Sequence, residues 1–251
     1  MNRVRVAAHV HSEWSYDGSW SLDQLAAAFG QRGYGAVLMA EHDRGFDDAR
    51  WSEYRRACAQ ASTPAMVVVP GIEYSDPTNS VHVPVWGDIP FLGEGLATDI
   101  LLPLAERAGG LATLAHPARR HALENLDPAL LSHLTGVELW NRKYDGYAPN
   151  REAAELLLQR PDLIPIVSLD FHTSRQFHPL AMVLETEGDP TEVSVCDAIR
   201  RRRAHPTAFG VTAMSLARGP AWRAMCGLEH VRRQAGRRLR RVRRIRTSST
   251  Q

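Results

Sequence analysis

Val4-Arg5-Val6-Ala7-Ala8-His9-Val10-His11-Ser12-Glu13-Trp14-Ser15-Tyr16-Asp17-Gly18 carries an apolar run into a polar turn. The run from Val4 to Ala8 predicts a strand, and residues two apart on a strand point to one face, so His9 and His11 stand side by side at its end. Such a pair is either half of a metal site or a chance pair on a polar face. The choice depends on what the rest of the chain supplies.

Outward from this stretch, apolar strands alternate with helices. Helical spacing begins after a serine cap at Ser21 and ends at Gly30 and Gly33. Strands are predicted at 36–40, 66–69, 81–86, 111–115, 136–140, 164–169 and 206–211, and helices at 47–61, 100–107, 128–134, 151–160 and 193–203. Fully apolar strands of this kind predict a parallel sheet covered on both faces, and many βα units without a Gly-x-Gly-x-x-Gly turn favour a barrel over a dinucleotide fold. In a barrel the chemistry gathers on loops after the C-terminal ends of strands.

With 251 residues the chain can bury one sizeable core. Cys58, Cys196 and Cys226 are widely separated and form neither a disulfide framework nor a thiolate site. No apolar leader precedes the first strand and no run is long enough to span a bilayer, so the sequence predicts a soluble, cytoplasmic protein. The net charge of +2 conceals an asymmetry: from Val231 onward there are nine arginines and no acid, and subtracting them leaves the first 230 residues at −7. Beyond Gly219-Pro220 the residues Leu228, Val231, Ala235, Leu239, Val242 and Ile245 recur at helical spacing, which predicts a basic amphipathic helix. The expected division is a body of 1–219 and a basic extension of 220–251, partly disordered.

Nine polar residues lie at or just beyond the ends of predicted strands: His9, His11, Asp17, His42, Glu73, His82, His116, Asp170 and His172. The five remaining histidines, His121, His133, His178, His205 and His230, lie elsewhere, so imidazoles are concentrated at strand ends. The order His9-x-His11, Asp17-Gly18, Glu41-His42-Asp43, Gly71-Ile72-Glu73, His82, His116-Pro117 and Asp170-Phe171-His172 resembles the polymerase-and-histidinol-phosphatase (PHP) family of metal-dependent phosphoesterases. The resemblance runs from about Val4 to His172. It implies an α/β fold, a distorted seven-stranded (β/α)7 barrel, here with a basic C-terminal helical extension. It also implies two to three divalent ions: one on His9, His11, Glu73 and Asp170, a second on Glu73, His82 and His116, and a third on Asp17, His42 and His172. The chain departs from the family at Ala7, where an acid is usual, and at Tyr16 and Leu169, where serine is usual; these positions neighbour the ligands and can tune them.

Three divalent ions against three carboxylates leave a net charge of about +3, which attracts an anion. Paired ions can present a bridging hydroxide in line with a phosphorus atom, so the expected activity is hydrolysis of a small phosphorylated molecule or nucleotide. Mixed imidazole and carboxylate donors suit Mn, Fe or Zn better than Mg. Glu73, Asp170 and His172 are the expected catalytic residues, with Arg175 as a phosphate clamp. Arg44, Arg119, Arg142, Lys143 and His178 are further candidates for gripping substrate, and Trp14, Trp20, Trp140 and Tyr144 could stack on it or pack. Three other readings remain open. One is a nuclease, within this family or resembling TatD-type DNases. The stretch Gly136-Val137-Glu138-Leu139-Trp140-Asn141 also looks like a branch that hydrolyses carboxyl and carbamate esters. A non-enzymatic protein would use the arginine-rich end to bind nucleic acid or an anionic membrane.

Overall fold

A computed structural model describes the backbone of residues 1–248 and the side chains of residues 1–237. In chain order the elements are β1 (Asn2–Val10), α1 (Leu22–Gly30), β2 (Ala36–Met39), β3 (Glu41–His42), α2 (Asp48–Ala61), β4 (Val67–Val69), β5 (Gly71–Ser75), β6 (His82–Trp86), α3 (Thr98–Arg107), β7 (Leu111–Leu114), α4 (Ala122–Asn125), β8 (Gly136–Asn141), α5 (Arg151–Gln159), β9 (Ile164–Ser168), β10 (Leu180–Thr186), α6 (Glu192–Arg200), β11 (Ala204–Ala208), β12 (Val211–Thr212), α7 (Ala213–Leu216) and α8 (Gly219–Ser248). Helices α1, α2, α5 and α6 start where side chains satisfy their first free N–H groups. Ser21 and Gln24 form a reciprocal capping box on α1, and Asp47 and Asn150 cap α2 and α5. The helix expected at 128–134 is a 3-10 turn, Pro128–His133.

The strands make an α/β structure whose pairing departs from the expected ring. Two six-stranded sheets form, in the orders β12-β11-β10-β1-β2-β4 and β3-β5-β6-β7-β8-β9, and among the described residues no continuous ladder closes them into seven strands. Nor is the pairing parallel throughout: β10 lies antiparallel to β1 and β11, and β6 antiparallel to β5 and β7. The β5–β6 reversal has a local cause. The Asp76 carboxylate accepts hydrogen bonds from the N–H groups of Thr78, Ser80 and Val81, at 3.1, 2.7 and 2.6 Å, and folds the chain into a tight turn.

The sheets touch along two seams. At one, single residues carry the chain across: Ala40 between β2 and β3, and Pro70 between β4 and β5. Pro70 has no N–H and cannot extend a ladder, so the sheet breaks there. At the other, the segment after β9 pairs with the end of β1, through Leu169 N–H to Ala8 at 3.0 Å, Phe171 N–H to His9 at 3.0 Å and His11 N–H to Phe171 at 2.9 Å. The space between the sheets is apolar at one end, with Val6, Leu38, Val69, Val137 and Ile166 buried, and lined with imidazoles and carboxylates at the other.

The first half of α8 is docked on the loop after β8. The Trp222 indole donates to the Pro149 carbonyl at 3.2 Å, the Tyr147 N–H to the Glu229 carboxylate at 3.2 Å and the Arg233 guanidinium to the Tyr144 carbonyl at 2.8 Å. Glu229 is only 6% exposed, and Arg232 neutralises it at 2.6 Å together with Arg233. Gly146, at φ +74°, packs so close that a Cβ there would stand 2.3 Å from that carboxyl group. Six of the nine terminal arginines follow residue 237, so the expected basic face lies mostly outside the described side chains. No described helix is long and apolar enough to cross a membrane.

Gly71 begins β5 where a Cβ would meet Trp86 at 2.3 Å and the Met39 carbonyl at 2.4 Å, whereas at Gly30 the nearest atom is a methionine methyl at 3.7 Å. Gly71→Ala should therefore cost about 1–3 kcal/mol in urea unfolding, and Gly30→Ala should be neutral or stabilising by up to about 1 kcal/mol; equal effects would refute this packing. Asp145 in the loop after β8 accepts from the Asn141 N–H at 2.7 Å, yet burial pushes its carboxyl up to about 7. The folded chain holds that proton to higher pH than the unfolded one, so stability should fall as pH rises from about 4 to about 7. Asp145→Asn should remove that part of the slope, checked by unfolding midpoints at pH 4 and pH 8; an unchanged slope would contradict it.

Candidate metal centre

Buried acids set out the site. Glu73, on β5, is fully enclosed, and five imidazoles converge on it. His9 Nε2 lies 3.3 Å from its carboxylate, His11 Nε2 3.7 Å, His42 Nδ1 3.1 Å, His82 Nδ1 3.0 Å and His116 Nε2 3.0 Å. Burial alone would raise the Glu73 carboxyl, but the neighbouring His9 and His82 rings and the hydrogen bonds from His116 and His42 hold it well below the usual carboxylate range. Asp170 comes in across the seam, 3.6 Å from His11 and 3.3 Å from His172. Asp17 joins His42 at 3.2 Å and His172 at 3.0 Å, and those rings hold its carboxyl low against partial burial.

All nine residues expected from the sequence are thus brought together, though His9 and His11 meet differently from the simple pleat. His9 has φ +60°, and the pairing of β1 with β2 slips one residue between Ala8 and Val10, so a bulge at the strand end aims the two rings, 5.0 Å apart. His116 and Asp170 also take positive φ, at +28° and +48°. Three site residues in this sparsely populated region indicate a backbone bent to present side chains.

Several nitrogens in this cluster lack a use within the protein. His9 Nε2, His11 Nε2, His42 Nε2 and His116 Nδ1 are buried without a hydrogen-bond partner, although carboxylates stand nearby. Donor atoms fall into three groups, each within 4.8 Å: His11, Asp17, His42 and His172; His9, His11 and Asp170; and His9, Glu73 and His116. Unpartnered buried imidazole nitrogens facing carboxylates fit several metal ions. His82 belongs to no such group but touches Glu73 directly.

A layer of supporting residues, absent from the list of site residues drawn from the sequence, holds these side chains. Glu138, fully buried on β8, takes His9 Nδ1 at 2.7 Å, the His116 N–H at 2.7 Å and the Asn141 amide at 2.7 Å. It leaves His9 Nε2 as the inward-facing atom. Glu41 accepts from the Ser12 hydroxyl at 2.6 Å and from the Ser15 hydroxyl, and Ser15 lies 3.3 Å from His11 Nδ1. The signal was present: an acid inside Val137-Glu138-Leu139, or directly after 36–40, must be buried and needs a partner.

The expected gripping residues divide. Lys143 places its ammonium 3.1 Å from Asp170 and 3.3 Å from His172, and Arg119 sits 2.9 Å from His82 Nε2. Arg175 is exposed on a 3-10 turn, Ser174–Gln176, three residues beyond His172. Trp140 is completely buried and cannot stack on a ligand, whereas the Tyr144 ring lies 4.7 Å from that of His116.

No protein-family model and no curated protein matches the chain. Solved structures do. PsfC from Pseudomonas syringae PB-5123 superimposes with a TM-score of 0.64 at 14% identity, over 94% of this chain and 99% of that one. A two-domain protein containing predicted PHP-like metal-dependent phosphoesterase, from Bacteroides vulgatus ATCC 8482, gives 0.62 at 17% identity over 82% of this chain. The lesion-specific endonuclease PfuEndoQ from Pyrococcus furiosus gives 0.55 at 14% identity over 80% of this chain. The chain spans 65% of the Bacteroides protein's length and 56% of PfuEndoQ's. At such identities the likeness is one of fold: the chain has the α/β fold of PHP-like metal-dependent phosphoesterases.

Proposed function

We propose that the chain is a metal-dependent hydrolase of phosphate esters. The observation that carries the reading is Glu73, buried among five imidazoles, in a cluster where four ring nitrogens have no hydrogen-bond partner. His9, His11, Glu73 and Asp170 would hold one ion, Glu73, His82 and His116 a second, and Asp17, His42 and His172 a third. Bound there, divalent Mn, Fe or Zn would supply Lewis acidity toward a phosphoryl oxygen.

The protein's own groups then have distinct tasks. Glu138 and Glu41 orient His9 and the Ser15–His11 pair before any substrate arrives, which keeps the donors fixed. Lys143, at the carboxylate of Asp170 and the ring of His172, supplies a positive charge at the mouth. Arg175 would clamp phosphate oxygens from the turn beyond His172, a planar donor fork suited to that geometry. The grouping of Asp17, His42 and His172 with His11 favours three ions over the two that a TatD-type site requires.

A preparation reconstituted with Mn2+ should contain two to three ions per chain by elemental analysis and should hydrolyse p-nitrophenyl phosphate. Asp170→Asn keeps a side chain that tolerates the positive φ while changing the donor, and should lower that activity by more than the roughly 10–100-fold typical of losing an outer partner of a metal ligand. A metal-loaded protein that turns over no phosphate ester, but does cleave carboxyl or carbamate esters, would transfer the reading to attack at a carbonyl. Glu138→Gln removes the charge behind His9 and should weaken metal binding about 10–100-fold; calorimetric titration with Mn2+ giving the wild-type affinity would exclude that role.

A further inference from the structure

Beside the metal centre a cleft of about 530 Å³ opens between the loop after β8 and α8, with Arg119, Tyr144, Asp145, Cys226, His230 and Arg233 among its walls. Arg119 and Tyr144 belong to both places. The Arg119 guanidinium lies 2.9 Å from His82 Nε2, donates to the Tyr144 hydroxyl at 3.1 Å and to Asn79 at 2.9 Å, and has no carboxylate partner among the described residues. The Tyr144 ring rests on His116. Arg119 and Tyr144 thus form a wall shared by the cleft and the side of the centre formed by His82 and His116.

The charges along it favour an anion. Glu229 faces the cleft but is already neutralised by Arg232 and Arg233, and Asp145 holds its proton up to about 7. Arg151 at the rim is shared with Glu155 at 2.7 Å. What remains is the Arg119 guanidinium at the junction, whose hydrogen bonds all go to uncharged groups, with His230 further along. A guanidinium that lacks a carboxylate is suited to phosphate oxygens.

We propose that this cleft is a second anion subsite, anchored on Arg119 and walled by α8, that binds a second phosphate on the same substrate molecule while the first lies at the metal centre. The proposal rests on the phosphoesterase reading and narrows it to substrates with two phosphates, whether a bisphosphorylated small molecule or neighbouring phosphates of a nucleic-acid strand. It also makes the C-terminal helix part of substrate recognition.

The test is calorimetric binding to the full chain, with and without Mn2+, of orthophosphate, of alkanediol monophosphates, of alkanediol bisphosphates of increasing length, and of a short oligothymidylate. The quantity read is the ratio of bisphosphate to monophosphate affinity. One length should bind about tenfold or more tighter than its monophosphate, as expected for an added charge-assisted contact. In Arg119→Met the ratio should fall toward one, and Arg119→Lys should restore part of it. Cys226→Trp, which fills the cleft without touching a metal ligand, should abolish the ratio as well, with circular dichroism confirming the fold of each variant. Tight oligothymidylate binding that needs Arg119 would assign the second phosphate to a nucleic acid, and preference for the diols alone would assign it to a small molecule; both support the subsite. A ratio near one at every length, with orthophosphate still bound, overturns the subsite and leaves the phosphoesterase reading standing. Absence of binding by every phosphate, with metal present, overturns both.

Discussion

A carboxylate sunk among imidazoles has to be compensated where it stands, and Glu73 imposes that condition on the rest of this molecule. Its five histidine neighbours come from β1 and the turn beyond it, from β3, from β6 and from the loop after β7. Both sheets must therefore bring their ends to one point, and the two seams do so. Away from that end, apolar side chains fill the space between the sheets; toward it, the chain changes from apolar to polar within one or two residues after β1, β2, β7 and β9. Three of the eight positive-φ residues other than glycine lie at the same place. Positive φ at His9, His116 and Asp170 costs on the order of 1–3 kcal/mol each, and persists because the Val10–Phe171 bridge and the Glu138 bonds fix the chain on both sides.

Much of this was legible in the sequence, and the boundary of legibility has physical causes. The apolar runs located most of the strands, and the Ser21 cap marked where the first helix begins. Polar residues at strand ends pointed to the nine side chains that the structure brings together, because a polar group at the end of a buried strand needs a partner. Three things were not legible. β10 went unrecognised although Leu180-Ala181-Met182-Val183-Leu184 is as apolar as its neighbours, since the βα alternation that revealed the others does not continue through it. Strand direction depends on partners distant in sequence, so the antiparallel position of β6 could be read only from its turn. Two sheets instead of one ring follow from Pro70 and Ala40, whose effect appears only when the pairing on both sides is known.

The support layer illustrates another limit. Glu138 and Glu41 were visible as acids in apolar surroundings, a pattern that demands a partner without saying which one. The structure pairs one with His9 and the other with Ser12 and Ser15. The departures at Ala7 and Tyr16 acquire local meaning as well: Ala7 is fully buried in the wall of β1, and the Tyr16 ring stacks 4.8 Å from that of His42 while remaining 71% exposed. An aromatic lid thus covers a ring that a serine would leave open.

The single-residue crossings at Ala40 and Pro70 also bear on how such a protein can diversify. Adding or deleting one residue in a strand reverses the face of every side chain beyond it, and beyond these two positions stand His42 and Glu73. Length variation is thus barred at the crossings and left to the loops after β8 and β9 and to the C-terminal helix. Lineages sharing this centre would keep the spacing from 36 to 42 and from 67 to 73 while the rim drifts, so that new specificities arise by remodelling the mouth around an unaltered frame.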